Sequence, residues 1–586
     1  MITFLKKYLS HNKEKLPTII LLLTFIIFHL YLISQTFLID KYGNIRSTIT
    51  GYGDIPLHLT QITKFAFQNP INLGEPIFYG QRLDYSFLIN LLSGFILRIT
   101  GNFSFSVLAP AFLFAACNII LVFWIYQKFL KSNLLAYLSV LLFYLGSGFG
   151  ALIYVQKALD NKLNLSQFIN YLIQNNITTV VRFDSKYPAQ NIDFGAPLSL
   201  VFLHQRAFFM GFFGFLVCLL FLILLSRNTR LKFASIFAGI SFGLLPLAHA
   251  HSFIAMSVTI FSFMVVFLLK KDFAYLKKLL TAAIIGIVIA TPQIIYLTMG
   301  NSALTQATGF IVPRLGWMVP PTIGSITYPF GQLPSMFSFS FLQFLLLNFG
   351  IILPAFLVCI VKICLKRNII TKTNSLIVFS FALSGLMLFL IVQIIKFQPW
   401  DFDDNKLLVY FQFLAIPLIL LVIKNIYSRM KTVGILIAML FVTLALFSGV
   451  IDMIPRLAMT SDTLPVIFAL DARDMANYIR ATIPQNELIL TGTDHRNPVD
   501  ALAGRPVLVG YPGWLWSRGI NYTKREEEVS HFYAFPSEDN PLLKEFNIHY
   551  VLLDNQTIVD FKANKQTFDK VFLIIYHLGQ YTLYKI

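Results

Sequence analysis

The chain has 586 residues, of which 56% are hydrophobic and only 13% charged, and its mean hydropathy is +0.69. That balance excludes a soluble globular protein, and several uncharged runs exceed the ~18 residues that cross a bilayer as a helix. The net charge of +18 does not mark a nucleic-acid surface, because the basic residues collect in short loops between apolar runs, where they orient membrane spans.

The first apolar run, 17–39, follows Lys6, Lys7, Lys13 and Lys15. It is too long for a signal peptide and lacks a small-residue cleavage site, so it reads as a retained anchor with a cytoplasmic N-terminus. Further spans are expected near 106–126, 134–155, 201–225, 233–248, 252–269, 279–299, 337–361, 375–395, 407–423 and 432–451, about eleven crossings in all. The runs are continuous rather than alternating, which argues against a β-barrel. The segment 83–99 starts after Arg82, contains Asp84 and ends at Arg98. It reads as a juxtamembrane or re-entrant helix. If it stays on one side, the loops holding Lys128 and Lys131, Arg227 to Lys232, Lys270 to Lys278, Lys362 to Lys372, and Lys424 to Lys431 all face the cytoplasm. Cys117, Cys218, Cys359 and Cys364 fall in or at the ends of apolar runs, as packing residues rather than a disulfide framework or metal cluster.

Four regions are left outside: 40–105, 156–200, 300–336 (with Arg314 and Trp317) and everything after Ile451. The expected organisation is a membrane domain, 1–451, followed by an extracytoplasmic α/β domain, 452–586, of ordinary size. In the tail, helical patterns at Asp471–Ile483, Tyr522–Phe535 and Pro541–Phe546 alternate with strand-like runs at Leu488–Thr491, Val507–Gly510, Tyr550–Leu553 and Val571–Ile575.

Ionisable residues at the membrane boundary are the candidate chemistry. Asp54 and His58 stand four apart, on one face of a predicted amphipathic interfacial helix over 54–67 with Pro56 in its first turn. The plainer reading makes Asp54 an N-cap and His58 an interfacial polar residue. His249 and His251 fall between two spans with almost no loop, at the outer mouth of the bundle, where ionisable groups usually line a cavity. With Asp54 and His58 they form a candidate set for a divalent metal, although the spacing is not that of a tight site. A substrate-contacting pocket is the preferred reading. Trp400, Asp401, Asp404 and Lys406 form a third cluster, with Trp400 otherwise an aromatic-belt residue. Lys406 would meet a lipid phosphate as a point charge. Arg206, beside His204, is a second phosphate candidate or else a snorkelling arginine. In the tail, Arg505, Trp514 and Trp516 lie in a loop dense in Gly, Trp and Arg, which stacks on sugar, dips into headgroups or packs as a hinge.

The stretch Gly53-Asp54-Ile55-Pro56-Leu57-His58, then Pro76-Ile77-Phe78-Tyr79-Gly80, Leu83-Asp84-Tyr85, the Trp400–Lys406 run and Gly510-Tyr511-Pro512-Gly513-Trp514-Leu515-Trp516 resemble uncharacterised prokaryotic members of the glycosyltransferase C-fold. The resemblance implies a polytopic helical enzyme of a bacterial inner membrane. It implies transfer of a sugar from a polyprenyl-phosphate donor to an extracytoplasmic glycan, lipid or protein. It gives the acidic residue of the first outer loop, here Asp54, the role of base or acceptor-aligning group. The residues themselves add His58 beside it and candidate substrate contacts at Arg82, Arg206, His249, His251, Trp400, Asp401, Asp404, Lys406, Arg505, Trp514 and Trp516. The Asp-Glu or Asp-x-Asp pair of several relatives is missing, since Gly53 and Ile55 flank Asp54. Two other classes fit a polytopic chain with intramembrane polar residues: a transporter or flippase of lipid-linked glycan, usually built from repeats that are not seen here, and a non-enzymatic envelope assembly protein.

Overall fold

In a computed structural model of the protein, the described residues are 16–48, 51–175, 192–227, 233–298, 311–313, 316–318, 325–328, 331–334, 339–365 and 375–586. Among them, eight helices are long and apolar enough to cross a membrane: Leu16–Ser34, Phe103–Leu130, Arg206–Arg227, Ala250–Leu269, Phe273–Thr298, Ser375–Ile394, Asn405–Arg429 and Lys431–Ala458. A ninth candidate is bent by 97° between Phe341–Phe349 and Ile352–Leu365.

Two of the expected spans are broken helices among the described residues. At 134–155 the helix stops at Leu145 after 13 residues, and at 233–248 it stops at Gly243 after 10. At 1.5 Å per residue these reach about 20 and 15 Å, short of a hydrocarbon core of about 30 Å. Glycines in the run Gly146-Ser147-Gly148-Phe149-Gly150 end the first, and Pro246 follows the break in the second. Carbonyls freed at the first break are met from the centre of the bundle. Gln412 Nε2 donates to the carbonyls of Leu142, Phe143 and Gly146 at 3.3, 3.0 and 2.8 Å, as a helix end inside a membrane requires. Gln412 belongs to the Asn405 helix, which is buried on every side from Asn405 to Leu420. Aromatic rings pack round it, with Tyr126 stacked on Phe413 at 5.2 Å.

Three spans run in the same sense. The Arg206, Ala250 and Asn405 helices begin at one end of the bundle and finish at Arg227, at Lys270 and Lys271, and at Lys424 and Arg429 respectively. The polar residues singled out in the sequence therefore lie at the end opposite the cations.

Leu88–Thr100 is a helix of 13 residues closed by Gly101 at φ 65°, shorter than a helix that spans a bilayer core. It packs along Asp54–Phe67, and a Cβ at Gly94 would lie 2.5 Å from that of Phe65. The 54–67 helix is not the interfacial amphipath expected. Every residue from Ile55 to Ala66 is buried, because the tail covers its outer face. Thr63 Oγ1 donates to the carbonyl of Asp500 at 3.2 Å, and Gln68 Nε2 to that of Gly504 at 3.2 Å. Gly504 sits at φ 67°, and any Cβ there would strike the Thr63 carbonyl.

The tail forms a four-stranded sheet in the order 573–578, 581–585, 550–553, 489–490, antiparallel except for the last pair. The helices Leu470–Thr482, Thr523–Ala534 and Pro541–Glu545 fall where the periodicity places them. Val507 and Val509 make single bridges rather than a strand, Val509 pairing with Phe78 of the first loop. Strand Tyr581–Lys585 was not expected. A second small sheet joins Leu38–Ile39 and Ile45–Arg46 to Val466–Phe468.

Candidate active site

Asp54 opens its helix but does not cap it; Gly53 is the N-cap, with no side-chain cap bond. The carboxylate reaches across instead. Gln205 Nε2 donates to Asp54 Oδ2 at 2.9 Å, and His204 Nε2 lies 3.4 Å from the same oxygen. These two residues immediately precede the Arg206 span, and Arg206 fixes where they stand. Its guanidinium, 3% exposed, donates to Asn90 Oδ1 at 3.2 Å, to Ser93 Oγ at 2.5 Å and to the Val107 carbonyl. Arg206 is thus engaged inside the protein against the Leu88 helix, not presented to a phosphate. His58 also turns inward. Its Nδ1 lies 3.0 Å from Asn90 Nδ2, which also donates to Gln61 Oε1 at 2.8 Å. An amide nitrogen can only donate, so Nδ1 accepts and Nε2 carries the proton. The expected Asp54–His58 pairing is replaced by Asp54–His204.

Burial pushes the Asp54 carboxyl up to about 7, against the pull of Lys406 and with the push of Asp403. A third of its side-chain surface still meets open space, but the protein around it leaves little water to solvate a charge. Burial, then Arg456 and Lys406, push His204 down to about 3. Burial and Arg206 push His58 well below the ordinary imidazole range. Both imidazoles are neutral at physiological pH.

A cavity of about 410 Å³ opens at the same end of the bundle. Tyr85, His249, His251, Asp403, Lys406 and Arg518 form its polar wall. Phe253, Ile254, Ile294, Leu297 and Phe397 form the apolar one. Lys406 is held by Asp403 at 3.0 Å, and Asp54 lies within electrostatic reach of both. The cavity therefore joins an apolar surface to an ammonium beside a carboxyl that titrates near neutrality.

Other expected residues are placed as follows. The rings of His249 and His251 stack at 5.4 Å; His249 Nδ1 is 2.8 Å from Ser252 Oγ, which is 2.5 Å from Tyr410 Oη. His251 Nε2 stands 3.9 Å from Asp404 Oδ1. The metal set of Asp54, His58, His249 and His251 does not assemble, because each meets different partners. Among the described residues no three His, Cys, Asp or Glu side chains gather closely enough to hold an ion, and the Asp54–His204 pair alone falls short of the usual ligand number. Trp400, Asp401 and Asp404 lie on the turn leading to Lys406 but off the cavity wall. Trp400 packs on Phe402 at 5.6 Å, and Asp401 pairs with Lys396 at 3.2 Å. The Asp401 carbonyl accepts from Trp317 Nε1 at 3.0 Å. Arg314 lies outside the described residues. Arg82 sits over the ring of Tyr296 at 5.0 Å. In the tail, Arg505 Nη2 donates to the Ile483 carbonyl at 2.8 Å; Trp514 is buried against Tyr511, and Trp516 is exposed.

The residues that the sequence did not single out as site residues are His204, Gln205, Tyr85, Asp403 and Arg518. Arg518 comes from the tail and reaches the cavity, its Nη2 bonded to Glu75 and, at 2.5 Å, to Asp84, with Tyr85 beneath at 5.7 Å. Among the described residues its buried Nε and Nη1 have no partner. The one sequence signal was a tripeptide, His204-Gln205-Arg206, wholly polar at the head of an apolar span.

This is a helical polytopic membrane protein with an acid- and lysine-bearing cavity at one end of its bundle. No family model and no curated protein matches it. Among solved structures, it is similar to the oligosaccharyltransferase of Archaeoglobus fulgidus in its apo form, with a TM-score of 0.49 and 12% identity over 91% of this chain and 70% of that one. The same enzyme, AglB, in complex with an inhibitory peptide and a dolichol-phosphate gives 0.48 and 11% over 91% and 69%. ArnT from Cupriavidus metallidurans bound to undecaprenyl phosphate gives 0.39 and 9% over 97% of each chain.

Proposed function

We propose that this protein is a membrane glycosyltransferase that moves a sugar from a polyprenyl-phosphate donor to an acceptor on the side of the membrane where Asp54 lies. The observation that carries the reading is the two-faced cavity, with Lys406 and apolar side chains in one space and Asp54 beside it. A polyprenyl-phosphate sugar has the matching chemistry: an apolar chain, one negative charge on a phosphodiester, and a sugar beyond it.

The donor's chain lies along Ile254, Ile294 and Leu297, and its phosphate meets the Lys406 ammonium. One of the three ammonium protons is engaged by Asp403, leaving two for phosphate oxygens. The acceptor hydroxyl oxygen attacks the anomeric carbon as the bond from that carbon to the phosphate oxygen breaks. The bonding pair leaves on the polyprenyl phosphate, where Lys406 offsets the growing charge. The hydroxyl proton passes to Asp54. A carboxyl pushed up to about 7 by burial is a stronger base than an ordinary one. His204 and Gln205 hold one oxygen of Asp54, leaving the other for the proton. The tail contributes Arg518 to the cavity wall, so it belongs to the site and not only to the surface.

On this reading the active site and the tail are extracytoplasmic, because the helices that start at the site end at the basic loops. The test is transfer from radiolabelled polyprenyl-phosphate sugars by the purified protein with envelope extracts as acceptor. Wild type transfers label and Asp54→Asn does not. Equal transfer by the two would refute the assignment of Asp54, and none by wild type across the hexose and pentose donors would refute the reaction.

A further inference from the structure

A second cavity, of about 350 Å³, lies at the junction of the tail with the start of the Phe103 span and shares no wall residue with the first. Ile45, Phe67 and Phe103 line its apolar part, and Arg473, Asn477 and Arg480 its polar part. The three polar residues come from one face of the helix Leu470–Thr482, at spacings of four and three. Neither arginine has a carboxylate partner among the described residues. Arg473 Nη1 bonds to the Gly43 carbonyl, Arg480 Nη2 to the Asn477 amide oxygen, and the Arg480 guanidinium lies 4.2 Å from the centre of the Phe67 ring. Asp471, on the same helix, is turned away to the backbone nitrogen of Gln580 at 3.4 Å. Arg505, close enough to feel the Arg480 charge, has a buried Nε with no partner among the described residues. Unmatched guanidinium groups in a partly apolar pocket are suited to an oxyanion.

The position says which oxyanion. Phe95 and Ile99, four apart on the Leu88 helix, are 44% and 83% exposed, and Phe105 in the first turn of the neighbouring span is 54% exposed. Among the described residues they stay open, and in sequence they lead to Gly101 and Phe103 at the cavity. An apolar row ending at two unmatched arginines has the layout of a lipid, with chains below and headgroup above. We infer that this cavity holds the phosphate headgroup of an acidic membrane phospholipid, whose chains lie along Phe95, Ile99 and Phe105. A bound lipid would tie the tail helix to the membrane surface beside the Phe103 span. The inference does not depend on the sugar-transfer reading.

The test is native mass spectrometry of the full-length protein purified in detergent and offered dioleoyl phosphatidylglycerol, dioleoyl phosphatidylcholine or inorganic phosphate. Wild type retains phosphatidylglycerol over phosphatidylcholine. Arg473→Gln with Arg480→Gln loses that preference by roughly tenfold or more. Asn477→Glu, at an exposed position that tolerates substitution, puts a carboxylate into the cavity and has the same effect even if the double variant fails to fold. Unchanged retention in Asn477→Glu, or binding of inorganic phosphate through Arg480 without any preference among lipids, would overturn the assignment. Lipid retention is read without sugar transfer, so the two proposals fail separately.

Discussion

His204 Nε2 stands 3.4 Å from Asp54 Oδ2, and the imidazole is held there from behind. Arg206, two residues on, is locked to Asn90, Ser93 and the Val107 carbonyl, so the polypeptide that carries His204 and Gln205 cannot drift from Asp54. His204 Nε2 faces the carboxylate at contact distance, while the hydrogen bond to that oxygen comes from Gln205, and the buried His204 Nδ1 has no partner among the described residues. His204→Ala is expected to lower kcat by about tenfold or more with KM little changed, since positioning a base acts on the transition state. His204→Gln, which keeps a donor, restores part of it. A rise in KM alone would place His204 in donor binding instead.

The pH dependence follows from the Asp54 carboxyl at about 7. A base works only when ionised, so kcat should rise with pH through about 7 and level off above it. Asp54→Asn should cost about 10²- to 10⁴-fold and remove that limb. A flat profile in wild type would exclude Asp54 as the group that takes the proton.

Stability should run the other way. Because the folded state holds the Asp54 carboxyl above its unfolded value of 3.8, its neutral form favours folding. That contribution is complete below about pH 4 and is lost as pH rises through about 7. Asp54→Asn, which is neutral throughout, should therefore melt higher than wild type above about pH 7 and show the smallest difference in acid. Thermal melts in detergent across that range check the sign.

Arg206 separates scaffold from ligand. Truncation to methionine leaves Asn90 Oδ1, Ser93 Oγ and the Val107 carbonyl buried without a donor, and should destabilise the protein by roughly 2–4 kcal/mol. If Arg206 bound phosphate, the same change would raise KM for the donor with the melting temperature unmoved. The first outcome is expected.

Arg518 should behave as a lock between tail and first loop. Arg518→Ala strands Glu75, which is fully buried, and should cost about 3–5 kcal/mol. Adding Glu75→Gln should recover part of that, since it removes a stranded charge. Limited proteolysis after Ala458, where the last span ends, reports the released tail.

Much of this was legible in the chain. Hydropathy found the spans because a bilayer admits few backbone solutions, and the periodicity of the tail found Leu470–Thr482 and Tyr550–Leu553. What was not legible depends on partners far away in sequence. Asp54–Phe67 reads as amphipathic, yet it is buried all round, because Gly504 and Thr63 meet across the fold. Asp54 and His58 share a helix face, but Asn90 outbids Asp54 for the imidazole through contacts that no local spacing reports. Lys406 was recognisable from its cluster. Arg518 was not, because its two carboxylates come from the first loop. Hydropathy does not report where glycine and proline stop a helix inside an apolar run.

The most direct measurement is a cryo-electron microscopy structure of the full-length protein in a lipid nanodisc with polyprenyl phosphate added. The phosphate should lie within hydrogen-bond distance of the Lys406 ammonium, with the chain along Ile254, Ile294 and Leu297 and the Asp54 carboxyl facing the space beyond the phosphate. A phosphate seated elsewhere, with Lys406 still paired only to Asp403 and Asp54 shut off from the lipid, would contradict the account.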